Sequence, residues 1–204
     1  MSPRFHVTTM LLVGVIWGVL LFLNGVTVEL EWLKPASTVA GILTFMFIVF
    51  DRWVWRWKWL KWFVKRPHVW GTWRVVLRSN YRKPGSKGPI SPIEGYMTIW
   101  QVYSDIRVRL FTAESSSESV AVQRFAKTDG TCELAVIYEN FPNQSVRKQS
   151  PIHFGAMILT VEESPESRLA GHYWTDRESG GEIEVTDRRK VMYWSYFAAT
   201  KAFK

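Results

Sequence analysis

The chain has 204 residues, with 26 Lys/Arg against 18 Asp/Glu, 12 Trp and a single Cys, which is room for one domain of ordinary size and an anchor. The lone Cys132 excludes an internal disulfide and reads as a small strand hydrophobe, and no HExxH, GxSxG, CxxC or glycine-rich phosphate loop occurs, so catalysis, a metal centre and a bound cofactor are not expected. Residues 1–66 hold 8 basic and 3 acidic side chains and residues 67–204 hold 18 and 15, so the positive excess is densest in the first third and points to anionic lipid rather than to a DNA or RNA polymer.

From Val7 to Val28 the chain carries no charge. As a helix this run would span about 30 Å, the thickness of a hydrocarbon core. A cleaved signal peptide is the competing reading. It is disfavoured because no convincing small-residue cleavage site follows Leu23 and a second apolar run comes quickly, at Ala36 to Phe50. The two runs, joined around Glu29, Glu31 and Lys34, predict a transmembrane helical hairpin; a buried core helix is the bland alternative. Arg4 precedes the first run, and Arg52, Arg56, Lys58, Lys61, Lys65 and Arg66 follow the second. The positive-inside rule then puts both termini in the cytoplasm. Residues 52–66, RWVWRWKWLKWFVKR, interleave Trp with Lys/Arg as an interfacial segment does. Gly14 and Gly18 form a GxxxG pair that would let helices approach closely, although such pairs are common.

Residues 67–204 form the second expected domain. After Pro67 the pattern changes to alternation, with eight candidate strands near 69–79, 95–101, 104–112, 119–126, 132–140, 152–162, 168–177 and 181–187. The breaks have turn chemistry: KPGSKGP (83–89), SSSES (115–119), KTDG (127–130), FPNQS (141–145), EESPES (162–167) and ESGG (178–181). Val191 to Phe197 reads as a ninth strand or a helix. Short strands joined by tight turns predict an all-β antiparallel sheet, and closing eight of them into a barrel removes the edges; a sandwich is the alternative.

Alternation assigns faces. With Glu133 and Glu139 outward, Leu134, Val136, Tyr138 and Asn140 point inward. The same rule turns His153, Gly155, Met157, Tyr173, Thr175 and Arg177 inward. The expected interior is apolar at one end and polar at the other, a half-lined cavity that suits one small ligand. The candidate ligand-binding residues are Tyr138, Asn140, His153, Tyr173 and Arg177. Arg177 offers a fork of donors for a phosphate or carboxylate, and the tyrosines offer flat rings for a base. Two bland readings stay open: a polar cluster that satisfies itself, with Arg177 near Glu139 or Glu178, and a structural hydrogen bond for His153. His68 and His172 read as boundary and surface residues. Gln101 ends an even strand and fits the polar rim poorly.

Two N-terminal spans are followed by RPHVWGTWRVVLRSN (66–80), TIWQVYSDIRVRLFTAESSSES (98–119), LAVIYEN (134–140), HFGAMIL (153–159) and LAGHYWTDRESGGEIEV (169–185). In this order the segments resemble the two-transmembrane β-barrel effectors of bacterial CBASS anti-phage systems, over nearly the whole chain. The resemblance implies a barrel that receives a cyclic dinucleotide made by a partner nucleotidyltransferase. It implies oligomerisation on binding, disruption of the bacterial inner membrane and death of the infected cell. A membrane-tethered barrel that carries a lipid or other apolar molecule is the competing function. A solidly packed scaffold is a third.

Overall fold

The computed structural model describes residues 14–19, 22–23, 30–64, 66–82, 85, 88–128, 131–162 and 168–204. The chain divides into two compact units, Met1–Val64 with Val102–Ser104, and Lys65–Gln101 with Asp105–Lys204.

In the first unit, residues 14–19 are helical, and helix α1 runs Leu30–Arg52. Two single 3₁₀ turns follow, Val54–Arg56 and Lys58–Leu60, then the short helix α2, Lys61–Val64. Most of the first expected span lies outside the described residues; the second falls within α1. Among the described residues no helix is long and apolar enough to cross a membrane. The described apolar side chains of α1 are nonetheless open on successive positions around the helix, with Ile42, Leu43, Phe45, Met46 and Phe47 all more than half exposed. Beyond it Trp53, Trp57, Trp59 and Trp62 are exposed while Trp55 is buried. Within the same unit the Ser104 N–H donates to Asp51 Oδ1 at 2.8 Å, and the Tyr103 ring meets Phe50 edge-on at 5.0 Å.

The second unit is a closed barrel of eight strands in sequence order. They are β1 Gly71–Ser79, β2 Ile93–Gln101, β3 Ile106–Thr112, β4 Ser115–Ala126, β5 Cys132–Pro142, β6 His153–Glu162, β7 Arg168–Thr175 and β8 Gly180–Arg189. Every neighbour pair is antiparallel, including β1 with β8. The short connections leave no other order, because each strand must pair with the one it has just turned away from. Helix α3, Tyr196–Phe203, follows the barrel; of the segment Val191 to Phe197, expected as strand or helix, only Tyr196 and Phe197 are helical. Ser195 caps it by accepting a hydrogen bond from the Ala198 N–H at 3.2 Å.

The expected alternation holds through most of the barrel; it is interrupted at two bulges, in β4 between Ser119 and Ala121 and at the β1–β8 pairing between Thr72 and Arg74. Trp73, Val75, Met97, Ile99, Leu134, Leu159, Leu169 and Val185 are essentially without solvent contact and fill the middle of the barrel. Burying each such side chain contributes about 1.5–3 kcal/mol. Cys132 is buried as a strand hydrophobe.

Two expectations need correction. SSSES is not a turn: Ser115 to Ser119 open β4 and pair with Pro142 to Tyr138. Serine is weakly turn-forming, and here alternation prevails, since Ser117 faces inward, buried, next to the exposed Glu118. His68, expected at a boundary, is half-buried in the segment that leads into β1, and its backbone carbonyl and Nδ1 are both engaged by Arg188. The half-lined cavity is absent from the cavities seen among the described residues, because the apolar middle is closed by large side chains. The polar residues gather instead as a rim above that packing.

Candidate functional site

Strand polarity decides which polar groups meet. The ends of β1, β3, β5 and β7 share one rim with the starts of β2, β4, β6 and β8. Asn140, near the end of β5, stands opposite His153 at the start of β6 and opposite Ser117 on β4. Ser117 Oγ donates to Asn140 Oδ1 at 2.9 Å, and both residues are buried, so the pair satisfies the serine donor and the amide oxygen. His153 is half-buried, and its Nδ1 donates to the Pro151 carbonyl at 2.9 Å. That bond orients the ring.

Tyr138 lies one inward position below Asn140 and is 6% exposed. Its ring occupies the space over Gly155, its cross-strand partner, where a side-chain carbon would collide with Tyr138 Cζ and Oη. Glycine at 155 is therefore what lets the phenol lie inside the barrel. Burial first, then the nearby Tyr173 and Asp176, raise the Tyr138 pKa far above the ordinary tyrosine value, so the hydroxyl stays a neutral donor. Tyr173, on β7, is half-buried and packs on the edge of the core.

Arg177 sits in the turn after β7, and its backbone N–H donates to Thr175 Oγ1 at 3.3 Å. Its guanidinium donates to Ser150 Oγ at 2.8 Å and to the Gln149 carbonyl at 3.4 Å. Among the described residues no carboxylate pairs with it. The expected neighbours Glu139 and Glu178 do not, and Asp176 instead accepts from the Phe154 N–H through Oδ2 at 3.1 Å. A half-buried cation held only by a hydroxyl and a carbonyl keeps most of its charge and donor capacity for another anion.

The five candidates thus belong to one rim. The Asn140 side-chain oxygen is taken by Ser117, and Arg177 holds the largest unused donor capacity. Sequence reasoning missed Ser117 and Ser150. The first was hidden in a serine run that imitates a turn; its signal was the alternation of Ser117 with Glu118 and Ser119. The second lies in a loop with no period to read.

The opposite rim uses its polar groups differently. Gln101 Nε2 donates to the Pro67 carbonyl at 2.9 Å and Gln101 Oε1 accepts from the Val69 N–H at 2.8 Å. Gln101 therefore belongs to this rim, as its even strand implied. Arg188 donates to the Trp70 carbonyl at 2.9 Å, the His68 carbonyl at 2.6 Å and His68 Nδ1 at 2.9 Å, and its guanidinium lies 5.2 Å from the centre of the Trp73 ring. Residues 67–70 are thereby tied across the barrel mouth. Burial lowers the Arg188 pKa from the ordinary arginine value without removing its charge.

Two open grooves of about 310 Å³ each lie on the outer wall. One is lined by Arg78, Arg168, His172, Glu182 and Glu184, the other by Arg74, Asp187, Arg189 and Phe203. In the first, Glu184 is bonded by both Arg78 and Arg168, so these three charges are already paired.

Residues 64–187 match the family described as Cap15, cyclic dinucleotide receptor domain. The CD-NTase-associated protein 15 of Staphylococcus schleiferi is 28% identical over 172 residues, which cover 84% of this chain and 89% of that protein.

Proposed function

The chain belongs to the Cap15 cyclic dinucleotide receptor family of CBASS effectors, and from that premise we propose that it is a membrane-anchored receptor. A cyclic dinucleotide made by an associated nucleotidyltransferase binds the polar rim of the barrel. The bound chains assemble, and the anchors gathered in one patch of inner membrane disrupt it. Residues 1–66 act as the anchor, a two-helix hairpin with both termini in the cytoplasm, and residues 67–204 as the receptor.

The observation that carries the ligand reading is Arg177. It lies at a rim with Tyr138, His153 and Tyr173, and among the described residues only neutral acceptors engage it. A phosphodiester supplies the missing anion, and charge-assisted bonds to it are about twice as strong as neutral ones. The half-buried rings of His153 and Tyr173 lie where a base would stack or accept a hydrogen bond. The anchor reading is supported by α1, whose apolar side chains from Val39 to Ile48 are exposed, and by the exposed tryptophans beside basic residues that follow it. A ligand drives assembly only as far as it binds the assembled state more tightly. Linking many weak membrane contacts then multiplies their effect.

A lipid carrier would need an apolar cavity and an Arg177 neutralised by a carboxylate. Both described grooves are lined by charged side chains, and Arg177 has no such partner among the described residues. The test is calorimetric titration of the full chain in detergent with cyclic di-GMP, cyclic di-AMP and the cyclic GMP–AMP isomers. Saturable binding to at least one is expected, and silence across the panel overturns the proposal.

A further inference from the structure

The outer wall of the barrel carries two apolar faces of opposite charge character. Strands β2 and β6 stand four apart in a ring of eight, so the faces centred on them point in opposite directions.

On the β6 side, Ile137, Ala156 and Trp174 form one cross-strand row. Ile137 is 52% and Trp174 46% exposed, and Phe154, the next outward position on β6, is 51% exposed. Glu139 stands opposite Phe154, Asp176 Oδ2 accepts from the Phe154 N–H at 3.1 Å, and Glu182 lies on β8 opposite His172, so carboxylates flank the row on two sides. Strands β5, β6 and β7 contain one Lys or Arg, Arg168, which Glu184 already holds at 2.6 Å.

On the β2 side, the C-terminal segment and α3 cover the wall. Tyr96 meets Tyr196 at 5.7 Å and Phe203 at 5.1 Å. Thr98 Oγ1 donates to the Tyr193 carbonyl at 2.6 Å, and Trp194 lies against Arg109. The face this segment turns outward is aromatic, with Trp194 51% and Phe197 79% exposed. Residues 188–204 contain five basic side chains and no acidic one. No ion pair among the described residues engages Lys190, Lys201 or Lys204.

We propose that these faces bind each other between copies: the basic aromatic C-terminal face of one chain seats on the acid-rimmed Ile137–Phe154–Trp174 face of the next. Neither face suits itself, because like charges would meet, so a two-fold dimer through either one is disfavoured. A contact between unlike faces leaves one of each kind open on every pair, and it repeats into a row or ring. Apolar patches with charged surrounds of opposite sign supply both the area and the register for such a contact. The inference rests on the assembly reading above and gives it a geometry.

Two variants and their mixture test it. Ile137→Arg spoils the acidic face and Phe197→Glu the basic one. Both positions are exposed, so both chains should fold, with a thermal melt as the control. Each variant of the full chain, in detergent, is examined by sedimentation velocity with and without excess cyclic di-GMP, cyclic di-AMP and cyclic GMP–AMP. Wild type should grow beyond a dimer in at least one condition. Each variant alone should self-associate about tenfold or more weakly. The equimolar mixture should form dimers and nothing larger, since one good face of each kind remains. Wild type that never assembles overturns the assembly reading together with this inference. Wild type that assembles while the variants also do, or while their mixture stays monomeric, overturns the face assignment alone. So does a Phe197→Glu chain that loses binding to phosphatidylglycerol vesicles yet assembles normally, because the C-terminal face would then be a lipid contact.

Discussion

The two rims of the barrel are built from the same kinds of residue and use them in opposite ways. At the rim where β1 begins, Gln101 and Arg188 spend their donors on the carbonyls of Pro67, His68 and Trp70. These partners are fixed backbone, so the side chains lock a chain segment over the mouth. At the other rim, Ser117, Asn140, Ser150 and Arg177 are bonded mainly to one another's neutral side chains or to loops. Such bonds are cheaper to exchange, because a hydroxyl can rotate to a new partner where a strand carbonyl cannot move. A buried polar group is therefore a weak signal of function by itself. What distinguishes a lock from a receptive site is whether its partners are backbone or side chain, and whether its charge is answered.

Arg188 and Arg177 give the sharpest test of that distinction. Arg188→Ala leaves the carbonyls of His68 and Trp70 without their charged donor and removes the contact with Trp73. It should lower the unfolding free energy by about 3 kcal/mol, read by urea unfolding with circular dichroism, while the folded fraction binds ligand normally. A stable Arg188→Ala chain with weakened binding would break the comparison. Arg177→Ala should do the reverse. Stability should change by about 0.5 kcal/mol or less, because its partners are a hydroxyl and a loop carbonyl. Affinity for a cyclic dinucleotide should fall about 10- to 100-fold, the worth of a charge-assisted phosphate contact. Arg177→Lys should recover only part of the loss, since a point charge lacks the planar fork.

The contrast between these arginines also shows how far a sequence can be read. Period-two alternation turned Tyr138, Asn140 and Tyr173 inward correctly, because glutamates on the same strands mark the wet face without ambiguity. It fails at Arg188. By parity with Glu182 and Glu184, Arg188 should face outward, but β8 is bulged: Thr72 pairs with Arg189 while Arg74 pairs with Thr186, and Asp187 takes a positive φ of 49°. One extra residue shifts the following side chains to a new aim, and nothing in the local sequence announces it. The expected hollow failed for another reason. Alternation tells which side chains point inward but not whether Trp73, Met97 and Met157 together leave space, which is a question of summed volume.

Gly155→Ala probes the floor of the receptive rim. The added methyl would collide with the Tyr138 phenol and come within 2.8 Å of the Trp174 carbonyl. Because the phenol can move and the strand cannot, Tyr138 should be pushed toward the rim at a cost of about 1–3 kcal/mol. Ligand affinity should fall with it if Tyr138 belongs to the site. An unchanged affinity would remove Tyr138 from the list of contacts and leave Arg177 as the anchor.

The smallest effect concerns the Tyr138 proton. Its folded pKa is raised above the unfolded value of 10.0. The unfolded chain therefore loses this proton first as pH rises. Below pH 10 both states hold it and stability is unaffected; above that, the unfolded state binds fewer protons, and stability must fall with pH. The slope from this group is at most about 1.4 kcal/mol per pH unit. Tyr138→Phe should remove that contribution, so that the variant loses less stability than wild type between neutral pH and pH 11 in urea titrations. Parallel pH profiles would mean that the phenol ionises as readily in the folded chain as in the unfolded one. Tyr138 would then open to water at the rim, and its place would be with the exchangeable groups around Arg177 and not with the hydrocarbon beneath them.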